Sequence, residues 1–309
     1  MRFPPEPTRE LIRAKYWQTY YRFITLKRKP LANMRPFIVA GPPRSGTSLL
    51  CTLLNSKSNI IISNEPKQIT GKRFALADPT TLLKGFLNET THRAVKKRKI
   101  LNKVDPHNPD KLTADTFNTG SARQFVPVNI NPDLPLIVGV KAPTPLFDNL
   151  KTFCTNWPDL KALIIIRDPL RTINSWRNSF GWQPALDDPK AGPQLNFYKS
   201  IPPCNSPLEK RAHLWRIMAE IAIKRKQQFP HAVALIQYEN LLADPQNQIT
   251  RAAKHLGAPN PDQKIDTSFV RPQSRPNYKN LNENEISTIK NICTPAWQQI
   301  NKATRAENK

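Results

Sequence analysis

No stretch of this 309-residue chain is apolar for the roughly 18–20 residues that a bilayer-spanning helix needs. The opening residues Met1-Arg2-Phe3-Pro4-Pro5-Glu6-Pro7 lack the apolar core of a secretory signal. Cysteine is scarce. Cys51, Cys154, Cys204 and Cys293 lie far apart and form no CxxC pair, which argues against a disulfide framework or a zinc knuckle and fits a reduced, cytoplasmic protein. His92, His107, His213, His231 and His255 include no pair at metal-ligand spacing, so no metal site is expected. There is no internal repeat. Acidic residues are few, 23 against 47 Lys and Arg, and the resulting net charge of +24 makes a field that attracts anions. The densest cluster is His92-Arg93-Ala94-Val95-Lys96-Lys97-Arg98-Lys99. It has no interleaved aromatic or glycine, and reads first as a solvated helical face and second as a polyanion patch. No specific nucleic-acid partner is expected.

What is present is the apolar content of one large domain: 39% of residues are hydrophobic. Residues 8–28 read as a helix with Leu11, Ile12, Tyr16, Tyr20 and Phe23 on one side, ended by Pro30. Five apolar runs read as strands: 37–40, 59–62, 136–140, 161–166 and 232–237. Helices are expected over 49–55, 143–156, 169–180, 207–228 and 245–256. This alternation predicts an α/β fold, a three-layer arrangement with a central parallel sheet and helices on both faces, and the Gly/Pro-rich loop 41–46 between the first strand and the next helix makes it P-loop NTPase-like. Residues 67–134 and 181–207 interrupt the rhythm and read as insertions over the acceptor side of a single domain spanning 1–309, with 1–35 as an N-terminal helix. Oligomeric state leaves no trace in the sequence.

The run Phe37-Ile38-Val39-Ala40-Gly41-Pro42-Pro43-Arg44-Ser45-Gly46-Thr47-Ser48-Leu49-Leu50 reads as strand, tight loop and helix start. It keeps the G-x-x-x-x-G frame of a P-loop but carries Thr47 where a nucleoside triphosphatase has Lys. Pro42 and Pro43 cannot donate hydrogen bonds. The anion-binding donors are therefore the backbone of Arg44, Ser45, Gly46, Thr47 and Ser48, the three hydroxyls, and the fork of Arg44. Without the Lys that reaches β- and γ-phosphates, a shorter 5′ chain is expected on the ligand.

The segment closely resembles the 5′-phosphosulfate loop of sulfotransferases that use PAPS, 3′-phosphoadenosine 5′-phosphosulfate. The Arg-Ser-Gly-Thr form is similar to the carbohydrate and tyrosylprotein branches and to many bacterial members. A second anion motif should follow, and Leu163-Ile164-Ile165-Ile166-Arg167-Asp168-Pro169-Leu170-Arg171-Thr172-Ile173-Asn174-Ser175-Trp176 supplies one. Arg167 falls at the carboxyl end of a buried strand, where open α/β sheets bind ligands. Asp168 suits the cap of the next helix and Pro169 its first position. By the resemblance, Arg167 and Ser175 bind the 3′-phosphate. Some family members carry an Arg four residues after that Ser. Here the place is Ser179, and Arg171, Arg177 or a later loop would substitute. The same run also imitates a Walker B strand with Asp168 near Mg²⁺, a reading that the missing P-loop Lys weakens.

Further matches extend the resemblance. Glu65 follows the second strand 21 residues after Arg44 and corresponds to the base that takes the acceptor proton, with His92 in the first insertion as the alternative base. Lys141, in Lys-Ala-Pro-Thr at the end of a strand, corresponds to the Lys beside the sulfuryl group. With Arg44, it would stabilise charge on the departing oxygen. Tyr238, in Gln237-Tyr238-Glu239-Asn240-Leu241-Leu242-Ala243-Asp244-Pro245, is either a nucleotide contact or a Tyr that packs the last strand. Ser274 and Arg275 lie in a basic loop where family members close over PAPS. The resemblance implies sulfuryl transfer from PAPS to an acceptor hydroxyl, release of adenosine 3′,5′-bisphosphate and no metal. Carbohydrate, lipid headgroup, peptide tyrosine and small metabolite all stand as acceptor classes, and the charge favours an anionic one such as a partly sulfated glycan. Two rivals remain: a degenerate P-loop kinase or ATPase, and a non-enzymatic polyanion-binding protein.

Overall fold

A computed structural model describes residues 6–27, 33–69, 71–104, 122–177, 195–270, 278 and 280–306. Its strands are β1 (Met34–Ala40), β2 (Ile60–Asn64), β3 (Lys99–Val104), β4 (Ala122–Pro127), β5 (Leu136–Lys141), β6 (Lys161–Ile166) and β7 (Val233–Gln237). β3 and β4 form an antiparallel hairpin. The other five, all expected from their apolar runs, make one parallel sheet in the order β2-β5-β1-β6-β7. The helices are α1 (Glu6–Lys27), α2 (Thr47–Asn55), α3 (Gly71–Leu76), α4 (Pro79–Lys97), α5 (Pro143–Asp148), α6 (Leu150–Asn156) and α7 (Pro169–Arg177). After them come α8 (Pro207–Gln228), α9 (Tyr238–Ala243), α10 (Pro245–Leu256) and α11 (Glu283–Ala306).

The sheet is buried on both faces, as its uninterrupted apolar strands require. Alternate residues of one strand feed opposite cores. Ala162, Ile164 and Ile166 of β6 join the core beneath α4, α6, α7, α8 and α11, whereas Leu163 and Ile165 join Leu50, Leu53 and Leu54 of α2 and Ile249 and Ala253 of α10. The three-layer arrangement follows. Caps fix the helix starts. Ser206 accepts from the Glu209 amide at 3.2 Å before α8, and Asp244 from the Asn247 amide at 3.1 Å before α10. No described helix is long and apolar enough to cross a membrane.

Three expectations change. The face of α1 read as its core side is largely turned to solvent: Ile12, Tyr16 and Phe23 are 57%, 60% and 53% exposed, while Ala14, Tyr21 and Ile24 are buried. Aromatic residues circle this helix, so periodicity could not choose the inward side. The segment 67–134, read as irregular, contains α3, α4 and the hairpin. In α4, Asp78 caps the start by accepting from the Thr81 amide at 2.7 Å, and Leu82, Leu83, Phe86 and Leu87 enter the core. Buried Thr80, Asn88, Thr90 and Thr91 dilute its apolar stripe and hide the period. The helix expected over 143–156 divides at Asn149 into α5 and α6. Beyond these, α11 had no counterpart in the sequence reading. It buries Ile289, Cys293, Ala296 and Ile300.

Candidate active site

All five parallel strands end on one edge, and the chain leaves each of them into a residue with chemistry. In spatial order these are Glu65 after β2, Lys141 at the end of β5, the loop 41–46 after β1, Arg167 after β6 and Tyr238 after β7. An open α/β sheet places ligands at this edge.

The loop after β1 is held by backbone geometry. Gly41 has φ 141°, and a Cβ there would strike the Ile165 carbonyl of the neighbouring strand. Arg44 (φ 66°) and Gly46 (φ 90°) are also left-handed. A Cβ on Gly46 would fall into the Tyr238 ring, so that ring lies flush against the loop. Ser45 donates its amide to the Pro42 carbonyl at 3.2 Å. Its hydroxyl is buried, with no hydrogen-bond partner among the described residues. Gly46 caps α2 without a side-chain bond, and the first turn of α2 has no acidic residue. This leaves the start of α2 open to an anion.

The second motif interlocks with the first. Arg44 Nε donates to Ser175 Oγ at 3.2 Å, and Arg167 Nη1 donates to the Arg44 carbonyl at 3.1 Å. The buried indole of Trp176 donates to the Pro43 carbonyl at 2.8 Å, and that of Trp215 to the Arg167 carbonyl at 3.2 Å. The Arg167 guanidinium sits 4.7 Å from the Tyr238 ring centroid, a cation–π distance. Its Nε has no partner among the described residues, and burial lowers its pKa from the ordinary value. Asp168 caps α7 by accepting from the Arg171 amide at 2.9 Å, and its own amide donates to Glu239 Oε1 at 3.1 Å. Burial pushes both carboxyls up, Asp168 and Glu239 alike.

The third cluster is an ion pair. Lys141, only 3% exposed, places Nζ 2.6 Å from Glu65 Oε1 and donates to Ser48 Oγ at 3.0 Å. Glu65 is left-handed at φ 45°, and its backbone is held from two sides. Its amide donates to the Lys141 carbonyl at 2.7 Å, and its own carbonyl accepts from Arg123 Nη2 of β4. A non-glycine residue held in this region stores strain, a state common at functional positions.

The sequence model of the Sulfotransferase family matches residues 36–262, well over half the chain. The chain belongs to the sulfotransferase family. It is 24% identical over 239 residues to Nodulation protein H of Rhizobium meliloti (strain 1021), covering 73% of this chain and 78% of that one. In fold it is similar to the sulfotransferase of Alicyclobacillus acidocaldarius, with a TM-score of 0.50 and 15% identity, over 90% of this chain and all of the other.

In this sulfotransferase, Arg44, Ser45, Gly46, Thr47, Ser48, Arg167, Ser175, Tyr238, Glu65 and Lys141 share one edge, through the contacts just given. Ser274 and Arg275 lie outside the described residues, as do Ser179 and His107. Arg177 is directed elsewhere: its Nη1 donates to the Asn280 carbonyl at 2.6 Å and to Glu285 Oε1 at 2.9 Å, tying α7 to α11. Among the described residues no group of three or more His, Cys, Asp and Glu could hold a metal ion. His92 is half-buried on α4, and His255 Nε2 lies 3.1 Å from the Ala232 carbonyl. Arg123 and Asn102 had no forewarning. The Asn102 amide closes the open edge of β2, accepting from the Asn64 amide at 2.8 Å and donating to the Ile62 carbonyl at 2.8 Å. Only a long-range pairing of β3 with β4 brings them here. Trp176, by contrast, stood inside the second motif.

Proposed function

We propose that this sulfotransferase takes its sulfuryl group from PAPS and passes it to an acceptor hydroxyl, releasing adenosine 3′,5′-bisphosphate. The observation that carries this reading is the junction of the two anion motifs, Arg44 Nε on Ser175 Oγ and Arg167 Nη1 on the Arg44 carbonyl. It sets two cationic groups from neighbouring strands at one ligand edge. The chain's residues fit such a donor: the Ser45 hydroxyl and Arg167 Nε are buried without partners among the described residues, and the start of α2 is uncapped.

PAPS supplies an activated sulfuryl group, which moves to the acceptor oxygen as the bond to the phosphate oxygen breaks. Arg44 to Ser48 hold the 5′ end, and Arg167 and Ser175 hold the 3′-phosphate. Tyr238, seated on Gly46 and under Arg167, gives the nucleotide a flat wall. Glu65 accepts the proton of the attacking hydroxyl. Lys141 reaches both Glu65 and Ser48, so its ammonium lies between the base and the loop and offsets charge on the departing oxygen. The net charge of +24 favours an anionic acceptor, with a charged glycan the leading class.

Calorimetric titration of adenosine 3′,5′-bisphosphate beside AMP and ATP, without and with Mg²⁺, tests the donor. Metal-free binding that depends on the 3′-phosphate supports PAPS. A preference for Mg-ATP, or no discrimination, overturns it in favour of a kinase-like or polyanion-binding protein. Arg44→Ala or Arg167→Ala should mainly weaken bisphosphate binding, whereas Glu65→Gln should lower kcat by about 10²–10⁴-fold. Near-normal turnover of Glu65→Gln removes that residue from the base role.

A further inference from the structure

The basic run 92–99 takes no part in the donor site, and its position gives it another role. It spans the end of α4 and the start of β3, turning at Arg98, which is left-handed at φ 50°. In the hairpin, Leu101 pairs with Phe125 and Lys103 with Arg123, so Lys99, Leu101, Arg123 and Phe125 share one face. On the opposite face Ile100 and Asn102 are buried. Asn102 pins that face to the edge of β2, the strand that leads into Glu65. From the outer face Arg123 reaches the Glu65 carbonyl.

Phe125 lies two residues from Arg123 on the same face, about 7 Å along the strand. It is 48% exposed, and its neighbour Leu101 is 40% exposed. The ring gathers two cations: the Arg93 guanidinium lies 5.1 Å and Lys99 Nζ 5.5 Å from its centroid. Such contacts order long side chains that would otherwise be mobile, which lowers the cost of fixing them on a ligand. Arg93 also meets Glu89 at 3.4 Å, a long pair that leaves most of its donors to other partners. Neither strand of the hairpin contains an Asp or Glu.

We propose that this outer face is the acceptor's anion-binding site, and that the acceptor is a saccharide carrying carboxylate or sulfate groups. The proposal rests on the sulfuryl-transfer reading of Glu65 and Lys141 and extends it to the acceptor. The C–H-rich face of a sugar packs on Phe125 and Leu101. Its charged groups meet Arg93, Lys99 and Arg123, and its hydroxyls extend towards Glu65. A flat apolar ring flanked by cations matches an acidic sugar in both respects.

Direct titration tests this without donor or turnover. An oligogalacturonate should bind the wild-type protein, and a neutral galactose oligomer of equal length should bind far more weakly. Arg93→Ala with Lys99→Ala should weaken the oligogalacturonate on the order of 10–100-fold, and Phe125→Leu by a smaller factor. Lys290→Ala with Lys302→Ala removes the same charge from α11, at the opposite edge of the sheet, and should leave affinity nearly unchanged. Equal losses in the two double variants, or equal binding of charged and neutral oligomers, would overturn the proposal. So would tighter binding of a glutamate-rich peptide or of anionic lipid vesicles than of the oligogalacturonate. Adenosine 3′,5′-bisphosphate is titrated into the same proteins. Its retained affinity in the hairpin variants places the loss at the acceptor, whereas its failure to bind wild type would sink the donor reading and leave the saccharide result standing.

Discussion

At the scale of single residues, the proposed chemistry concentrates on the pair Glu65 and Lys141. A lysine 3% exposed at the end of a strand is costly unless its charge is used, and here it is satisfied by one carboxylate and one hydroxyl. Lys141→Met removes the cation but keeps the bulk. Its kcat should fall about 10²–10³-fold while bisphosphate affinity changes far less than in Arg167→Ala, as steady-state kinetics beside calorimetry would show. A second prediction concerns acid stability. Burial and the cations Lys161 and Lys226 hold the His255 pKa down, to about 4 from an ordinary 6.5. The unfolded chain therefore takes up the proton first. The stabilisation is whole above pH about 6.5 and is lost as pH falls towards 4, for about 3 kcal/mol. The buried Asp168 and Glu239, whose pKa values are raised, act in the opposite sense. The difference between wild type and His255→Gln in urea unfolding at pH 7 and pH 4.5 isolates the histidine. A wild-type slope in the variant would refute it. Among these residues Glu65 and Lys141 were legible, because each ends an apolar run. Arg123 was not, because nothing near it in sequence says where β4 will pair.

At the scale of elements, the loop after β1 and the ring after β7 form one packed unit. Gly46 is both left-handed and covered by Tyr238. Gly46→Ala therefore meets two penalties, backbone strain and a displaced ring, and should cost about 1–3 kcal/mol of stability along with most of the bisphosphate affinity. A folded variant with wild-type affinity in the same titration would refute this coupling of loop and ring. Strand and helix starts were readable where a single residue dictates them. Asp168 with Pro169, Ser206 with Pro207 and Asp244 with Pro245 each open a helix. Asp78 with Pro79 carried the same signal for α4, but polar residues on its buried side masked the period that should have accompanied it. For α1 the opposite happened. Apolar residues lie on both sides, and packing of Tyr21 against Gly85 of α4, a long-range fact, selects the buried one.

At the scale of the molecule, the order β2-β5-β1-β6-β7 brings segments separated by up to 173 positions, Glu65 and Tyr238, to one edge. Local patterning gives strands, their caps and, in a parallel sheet, a shared carboxyl edge, but strand order comes from crossovers, so which residues become neighbours along that edge was legible only through family resemblance. Two consequences of whole-molecule charge oppose each other. A net charge of +24 repels itself in the compact state, so salt should raise the melting temperature of the ligand-free protein. A ligand bound at fixed cations adds stability by mass action: at about 100 times its Kd, adenosine 3′,5′-bisphosphate should contribute about 2.7 kcal/mol, or about 5 °C. Raising NaCl from about 50 to about 500 mM should shrink that increment without abolishing it, because Arg167 and its partners are partly buried and screened less than surface charge. Thermal melts at both salt concentrations, in wild type and Arg167→Ala, separate the terms. If the increment disappears at high salt in wild type, the bisphosphate is held by the diffuse field of the surface, and the interlocked arginines are not its site.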